Sequence, residues 1–154
     1  MIRVAVFVAT AAYTGYVPFA PGTLGSLVGL LVYALVAWLG VPLVEIAVIA
    51  LLGAAGIWAG TVAERYFGGI DPGPVVIDEV VGMLITLALV NVGISGAIAG
   101  FFLFRLFDVI KPYPAGRFER LHGGLGVMAD DAMAAVYANI ALRATIWLVP
   151  GWIS

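Results

Sequence analysis

The chain contains no cysteine, which excludes disulfides, thiolate nucleophiles and Cys-ligated metals. Its single histidine, His122, cannot supply the pair that a phosphohistidine mechanism needs, and a lone histidine in a glycine-rich loop stays outside the catalytic set. No Asp-x-Asp element is present for an aspartyl-phosphate intermediate. No basic stripe is long enough to track a nucleic-acid backbone, so nucleic acid is excluded as a partner. Charge is scarce: 10% of residues are Asp, Glu, Lys or Arg, against 64% hydrophobic. With a mean hydropathy of +1.15, too few polar residues remain to cover a soluble core, and the composition is that of a membrane protein. Strand alternation, internal repeats and low-complexity tracts are missing too, so the reading is all-helical.

What is present is unevenly placed. Residues 104–131 hold half of the charged side chains and the histidine. Charge is expensive in so apolar a chain, and a cluster of it needs a reason.

The 154 residues read as a single domain. The start, MIRVAVFVATAA, imitates a signal peptide but is too short for one, and is expected to be a retained first helix or surface segment. Residues 15–26, GYVPFAPGTLGS, form a loop in which Thr23 or Ser26 can cap the next helix. Apolar runs cover 27–39 and 43–63, the second ending at Glu64-Arg65. Gly25/Gly29 and Gly56/Gly60 have the four-residue spacing that lets membrane helices approach, and such faces also offer an oligomer contact. A second loop spans 66–74. A third apolar run starts at Val75, carries Asp78-Glu79 in its first turns, and breaks near Asn91–Gly96. A fourth, 97–109, leads into the charged window, where Pro112 and Pro114 stop it. Residues 111–127 make a third loop. The last helix is expected over about 128–149, with Asp130 and Asp131 in its first turn, Trp147 and Trp152 at its far end and Arg143 snorkelling outward.

The expected fold is therefore an all-α polytopic membrane bundle, with four to five short transmembrane helices plus an N-terminal helix. If runs one and two form a hairpin, and three and four another, the three loops share one face. Arg65, Lys111, Arg117 and Arg120 then make that face cytoplasmic by the positive-inside rule. Several runs of only 12–14 residues, about 18–21 Å long, need extension or local thinning to span.

On that face Asp78, Glu79, Asp108, Asp130 and Asp131 converge. Without cations they would repel, and hard divalent ions such as Mg²⁺ relieve this through oxygen ligands. Helix-dipole stabilisation of acids at helix starts is the plainer explanation for any one of them. Arg105, Asp108 and Lys111 fall at i, i+3 and i+6 on one helix face, as a phosphate clamp would. Arg117 and Arg120 suit anionic headgroups. Residues 20–26 can offer amides to a phosphate, although the Lys ending of a P-loop is missing. Metal-assisted attack of water on a phosphoester survives these exclusions. A small carrier for an ion or phosphorylated metabolite, or a subunit packed through glycine faces, would also place acids or glycines in a helical bundle.

Three segments, PFAPGTLGSLVG (18–29), DPGPVVIDEVVGM (71–83) and FRLFDVIKPYPAGRFERLHGGLGVMADDAMAA (104–135), resemble the phosphatidylglycerophosphatase A family of bacterial membrane lipid phosphatases. The resemblance implies Mg²⁺-dependent hydrolysis of phosphatidylglycerol phosphate to phosphatidylglycerol and inorganic phosphate, in a multi-pass protein of the bacterial cytoplasmic membrane. It implies Asp78, Glu79, Asp130 and Asp131 as metal ligands and catalytic acids, with Asp108 a further one. Arg105 and Lys111, with Thr23 and Ser26, are then expected to bind phosphate. Ala135 departs from the family pattern, where a glycine is expected. Reporter fusions at residues 70 and 118 are expected on one side of the membrane and a fusion at 92 on the other; opposite sides for 70 and 118 would divide the site.

Overall fold

The computed structural model describes residues 1–118 and 121–149, and is helical throughout its regular elements. In chain order these are α1 (Ile2–Ala9), a short 3₁₀ turn (Thr14–Tyr16), α2 (Pro21–Leu39), α3 (Pro42–Phe67), α4 (Ile77–Leu87), α5 (Ile94–Ile110), α6 (Ala115–Phe118) and α7 (Gly124–Leu148). Proline at the first position opens both α2 and α3, where its missing N–H is no loss. Gly40 and Gly68, both at positive φ, close them.

The centre of the bundle is α4. Nine of its eleven residues are buried, and it packs against α2, α3, α5 and α7. A helix apolar nearly all round belongs in an interior. At 1.5 Å per residue its eleven residues reach only about 16 Å, short of a bilayer core of about 30 Å. Among the described residues, three helices, α2, α3 and α7, are long and apolar enough to cross a membrane. α1 lies against α3, burying Ala5, Val6 and Ala9, so the signal-like start is part of the bundle.

Chain direction is set by which segments meet. Residues 20–23, 71–75 and Lys111 line one cavity, at one end of the bundle. Residues 40–42 and 89–91 line another at the opposite end. Hence α2, α4 and α7 run away from the first cavity, α3 and α5 return, and the break after Leu87 is the α4–α5 turn. The three loops therefore do share one end.

Close packing explains the glycines. A Cβ on Gly29 would lie 2.6 Å from Met83 Cβ and 2.8 Å from Val80 O; one on Gly25 would lie 2.9 Å from Val76. Gly56 and Gly60 likewise receive Met128 and Gly124 of α7. These faces are occupied within the chain, so an oligomer would need a different surface.

Four local expectations change. α2 begins at Pro21, so Thr23 and Ser26 lie inside it and neither caps it; the Ser26 hydroxyl donates to Gly22 O at 3.0 Å. The third loop contains α6. α7 begins at Gly124, which puts Asp130 and Asp131 in its second turn, beyond the reach of the first-turn dipole effect. Arg143 turns toward the α4 C-terminus, donating to Ala88 O and Leu89 O rather than simply snorkelling. Arg120 and Trp152 lie outside the described residues.

The early start of α7 has a tertiary cause. Gly123 N donates to Glu64 Oε2 at 2.8 Å and Gly124 N to Thr61 Oγ1 at 2.9 Å, so α3 supplies the cap. A Cβ on Gly124 would collide with the Ile57 carbonyl. Gly124→Ala should therefore push α7 off α3 and destabilise the protein by about 1–3 kcal/mol. A thermal midpoint in detergent equal to wild type would contradict that contact.

Candidate active site

The cavity at the loop end has a volume of about 290 Å³. Its walls are Ala20–Thr23 from the start of α2, Asp71, Gly73 and Val75 from the next loop, and Asp78 and Glu79 from α4. Arg105 and Asp108 come from α5, Lys111 from its end and Asp131 from α7. Four helices thus meet at one polar spot in a molecule whose remaining helix surface is largely apolar.

Asp78 and Glu79 occupy the first turn of α4, where a carboxylate is favoured by the helix dipole. Asp131 reaches the same spot from α7, and the three residues each bring a carboxylate oxygen within 4.8 Å of the others. Asp78 and Asp131 are 5% and 3% exposed. Asp78 Oδ1, Glu79 Oε2 and Asp131 Oδ2 are buried with no hydrogen-bond donor. Buried, unpaired carboxylate oxygens cost several kcal/mol each unless a cation or proton joins them. This donor set, all oxygen and all anionic, fits a hard divalent ion.

The cations stand at the rim. Arg105 Nη1 is 2.7 Å from Asp108 Oδ2 and 3.9 Å from Glu79 Oε1. Asp108 thereby ties Arg105 down while lying beside Asp131. Lys111 lines the cavity too, and its Nζ donates to Asp130 Oδ2 at 2.6 Å. Beside Arg105, Gly22 and Thr23 precede the first intrahelical bond of α2, from Leu24 N to Ala20 O, so their amides are helix-start donors of the kind that can receive an anion. Ala20, Asp71 and Lys111 adopt left-handed backbone, with φ of 48°, 46° and 45°. Non-glycine residues in that region carry about 1–3 kcal/mol of strain each and concentrate at functional sites.

Comparison with known proteins agrees with this geometry. A family model described as phosphatidylglycerophosphatase A matches residues 7–146. The chain belongs to the phosphatidylglycerophosphatase A family. A Haemophilus influenzae phosphatidylglycerophosphatase A is 41% identical over 136 residues, 85% of this chain and 82% of the relative. The Escherichia coli phosphatidylglycerophosphatase A is 38% identical over 126 residues, 80% and 72% of the two chains. A Bacteroides thetaiotaomicron protein, provisionally named a phosphatidylinositol-3-phosphatase, is 37% identical over 151 residues, 94% of each chain. No solved structure matches the chain significantly. Membership makes the chain an enzyme of the lipid phosphatase class and leaves the carrier and packing-subunit readings without support.

Set against the family-derived residue set, the structure gathers Asp78, Glu79, Asp131, Asp108, Arg105, Lys111 and Thr23 around one cavity. Two residues are placed elsewhere. Asp130 is outside the carboxylate trio and holds Lys111 instead, because adjacent residues on a helix point about 100° apart. Ser26 is fully buried with its hydroxyl returned to Gly22 O. His122 is exposed and away from the cavity walls. The sequence reading missed Asp71, whose only signal is an acid in a Gly/Pro loop, and the contact of Gly22 with Glu79. A Cβ on Gly22 would collide with Glu79 Oε1 and lie 3.2 Å from Arg105 Nη1. Gly22→Ala should lower phosphatase turnover by roughly tenfold or more by displacing the Glu79 carboxylate. Its thermal midpoint should stay near wild type, and unchanged turnover would show that Glu79 need not sit there.

Proposed function

We propose that this chain hydrolyses phosphatidylglycerol phosphate to phosphatidylglycerol and inorganic phosphate, using Mg²⁺ held by Asp78, Glu79 and Asp131. The observation that carries this reading is the trio of carboxylates from α4 and α7 that bring oxygens within 4.8 Å of one another, each with a buried oxygen lacking a hydrogen-bond partner, in a cavity also lined by Arg105, Gly22 and Thr23. When bound, Mg²⁺ would supply positive charge to the phosphoryl oxygens and the attacking water.

The chain's own residues account for the rest. Arg105 and the Gly22 and Thr23 amides receive the non-bridging phosphoryl oxygens, a planar donor and two fixed dipoles aimed at developing negative charge. Lys111 adds a point charge at the rim and stays in place through Asp130. A cavity carboxylate accepts the proton as the water oxygen bonds to phosphorus. The phosphorus–oxygen bond to glycerol breaks, and the departing oxygen takes up a proton. Asp108 keeps Arg105 oriented between turnovers. The lipid tails remain in the bilayer while the headgroup reaches the polar end of the bundle.

We further place the protein in the bacterial cytoplasmic membrane with the cavity facing the cytoplasm. Arg65, Lys111 and Arg117 stand on or beside the cavity-end segments, and Arg143 is at the other end, which is the bias the positive-inside rule expects. A second substrate reading, phosphatidylinositol 3-phosphate, is favoured by the name and near-complete coverage of the Bacteroides relative.

Phosphate release from purified protein in detergent tests the proposal. Turnover of phosphatidylglycerol phosphate should vanish with a chelator and return with Mg²⁺, and should exceed turnover of phosphatidylinositol 3-phosphate. Asp78→Asn and Asp131→Asn should each reduce it by about 10²-fold or more with the fold intact. Asp130→Asn should reduce it less. Wild-type rates in both of the first two variants would end the cation-site reading.

A further inference from the structure

Asn139 and Arg143 sit on α7 at the end of the bundle remote from the cavity, and the chemistry above makes no use of them. α4 stops at Leu87; backbone N–H groups of Ala88 and Val90 reach Ile85 O and Leu87 O, and the other carbonyls at this end need donors from elsewhere in an apolar bundle. Asn139 Nδ2 approaches three carbonyls there, Ile85 O at 3.2 Å, Thr86 O at 2.9 Å and Ala88 O at 3.2 Å. Arg143 Nη2 donates to Ala88 O at 2.9 Å and Leu89 O at 3.1 Å. Arg143 Nε donates to Asn139 Oδ1 at 2.8 Å, which turns the amide so that its N–H groups face α4.

The spacing on the two helices is matched. Thr86 comes eight residues after Asp78 on α4, and Asn139 comes eight after Asp131 on α7. The helices run in the same direction, so a rise of about 12 Å separates the amide contact from the carboxylates on both. Between these points α7 presents small residues to the bundle core. Gly82 approaches α7, its would-be Cβ 3.5 Å from Asp131 O, and Ala134, Ala135 and Ala138 are completely buried. Small residues allow close approach, and the amide contact adds a directional constraint on sliding to the packing of Met83, Leu84 and Leu87. A slip of one residue shifts a side chain by about 1.5 Å. That is large against Mg²⁺–oxygen distances of about 2.0–2.1 Å in a near-ideal octahedron.

We propose that Asn139, oriented by Arg143, is a positioning residue that locks the axial register of α4 against α7 and so sets the spacing of Asp78 and Glu79 from Asp131. This rests on reading those three acids as the cation site. The clamp touches neither the ion nor the substrate.

The test uses Mn²⁺ as a spectroscopic probe, its binding to the purified protein tracked by electron paramagnetic resonance alongside thermal midpoints and phosphate release. Asn139→Leu keeps the volume and removes both donors. Its Mn²⁺ dissociation constant should rise by about tenfold or more, as for loss of other outer-sphere supports. Half-maximal turnover should need correspondingly more Mg²⁺, with the lipid KM within about twofold of wild type. Asn139→Gln, which keeps the donors on a longer arm, should recover part of the affinity. Arg143→Met, at an exposed position, should shift it in the same direction by less. Wild-type Mn²⁺ affinity in both Asn139→Leu and Arg143→Met would overturn the clamp while leaving the cation site standing, even if stability fell. Wild-type protein that binds no Mn²⁺ would remove both.

Discussion

Burying carboxylates in an apolar bundle is the constraint on which the rest of this structure depends. Asp78, Asp108, Asp130 and Asp131 are all buried, and Glu79 nearly so. In low dielectric such a group is stable only with a counter-charge or well-aimed donors. Asp108 and Asp130 have close ion pairs, with Arg105 at 2.7 Å and Lys111 at 2.6 Å, and Glu79 has a longer one with Arg105 at 3.9 Å. Asp78, Glu79 and Asp131 each bring a carboxylate oxygen to one spot, and each has a buried oxygen without a hydrogen-bond partner. The ion pairs tie down the rim, and the imbalance in the middle is what the proposed divalent cation would relieve.

Keeping acids from different helices so close requires backbones that nearly touch. Glycine and alanine along α2, α3, α4 and α7 provide that, and the contact distances leave little room for a methyl at Gly25, Gly29, Gly56 or Gly82. The larger side chains fill the layer beneath the site, where Phe104, Met83, Leu84, Leu87 and Leu142 are almost completely buried. Phe104 shows how site and core are joined: its ring occupies the space left by Gly82, and the next residue along its helix is Arg105.

Much of this was legible in the sequence because uninterrupted apolar runs dictate it. The runs at 27–39 and 43–63 became α2 and α3, the pairing of hairpins put three loops together, and the four-residue glycine spacing marked real contacts. Asp78, Glu79 and Asp131 stood out because acids are rare in such a chain. The features that stayed hidden depended on partners far away in sequence. The start of α7 is set by Glu64 and Thr61, 59 and 63 residues from the amides they accept. The inward turn of Arg143 answers carbonyls exposed only because α4 ends early. Thr23 and Ser26 looked like caps, but Pro21 had already opened the helix.

Capping α7 on another helix sets the roles of Asp130 and Asp131 apart. They are chemically identical neighbours with different surroundings, one held by Lys111 and the other facing the acids of α4. Which of them faces inward depends on the rotational phase of α7, and that phase is fixed where Glu64 and Thr61 grip its first amides. A screw motion by a single residue would trade their places, turning the lysine's anchor into a member of the trio. The identity of the inner acid is thus decided by side chains on a helix that contributes nothing to the cavity wall.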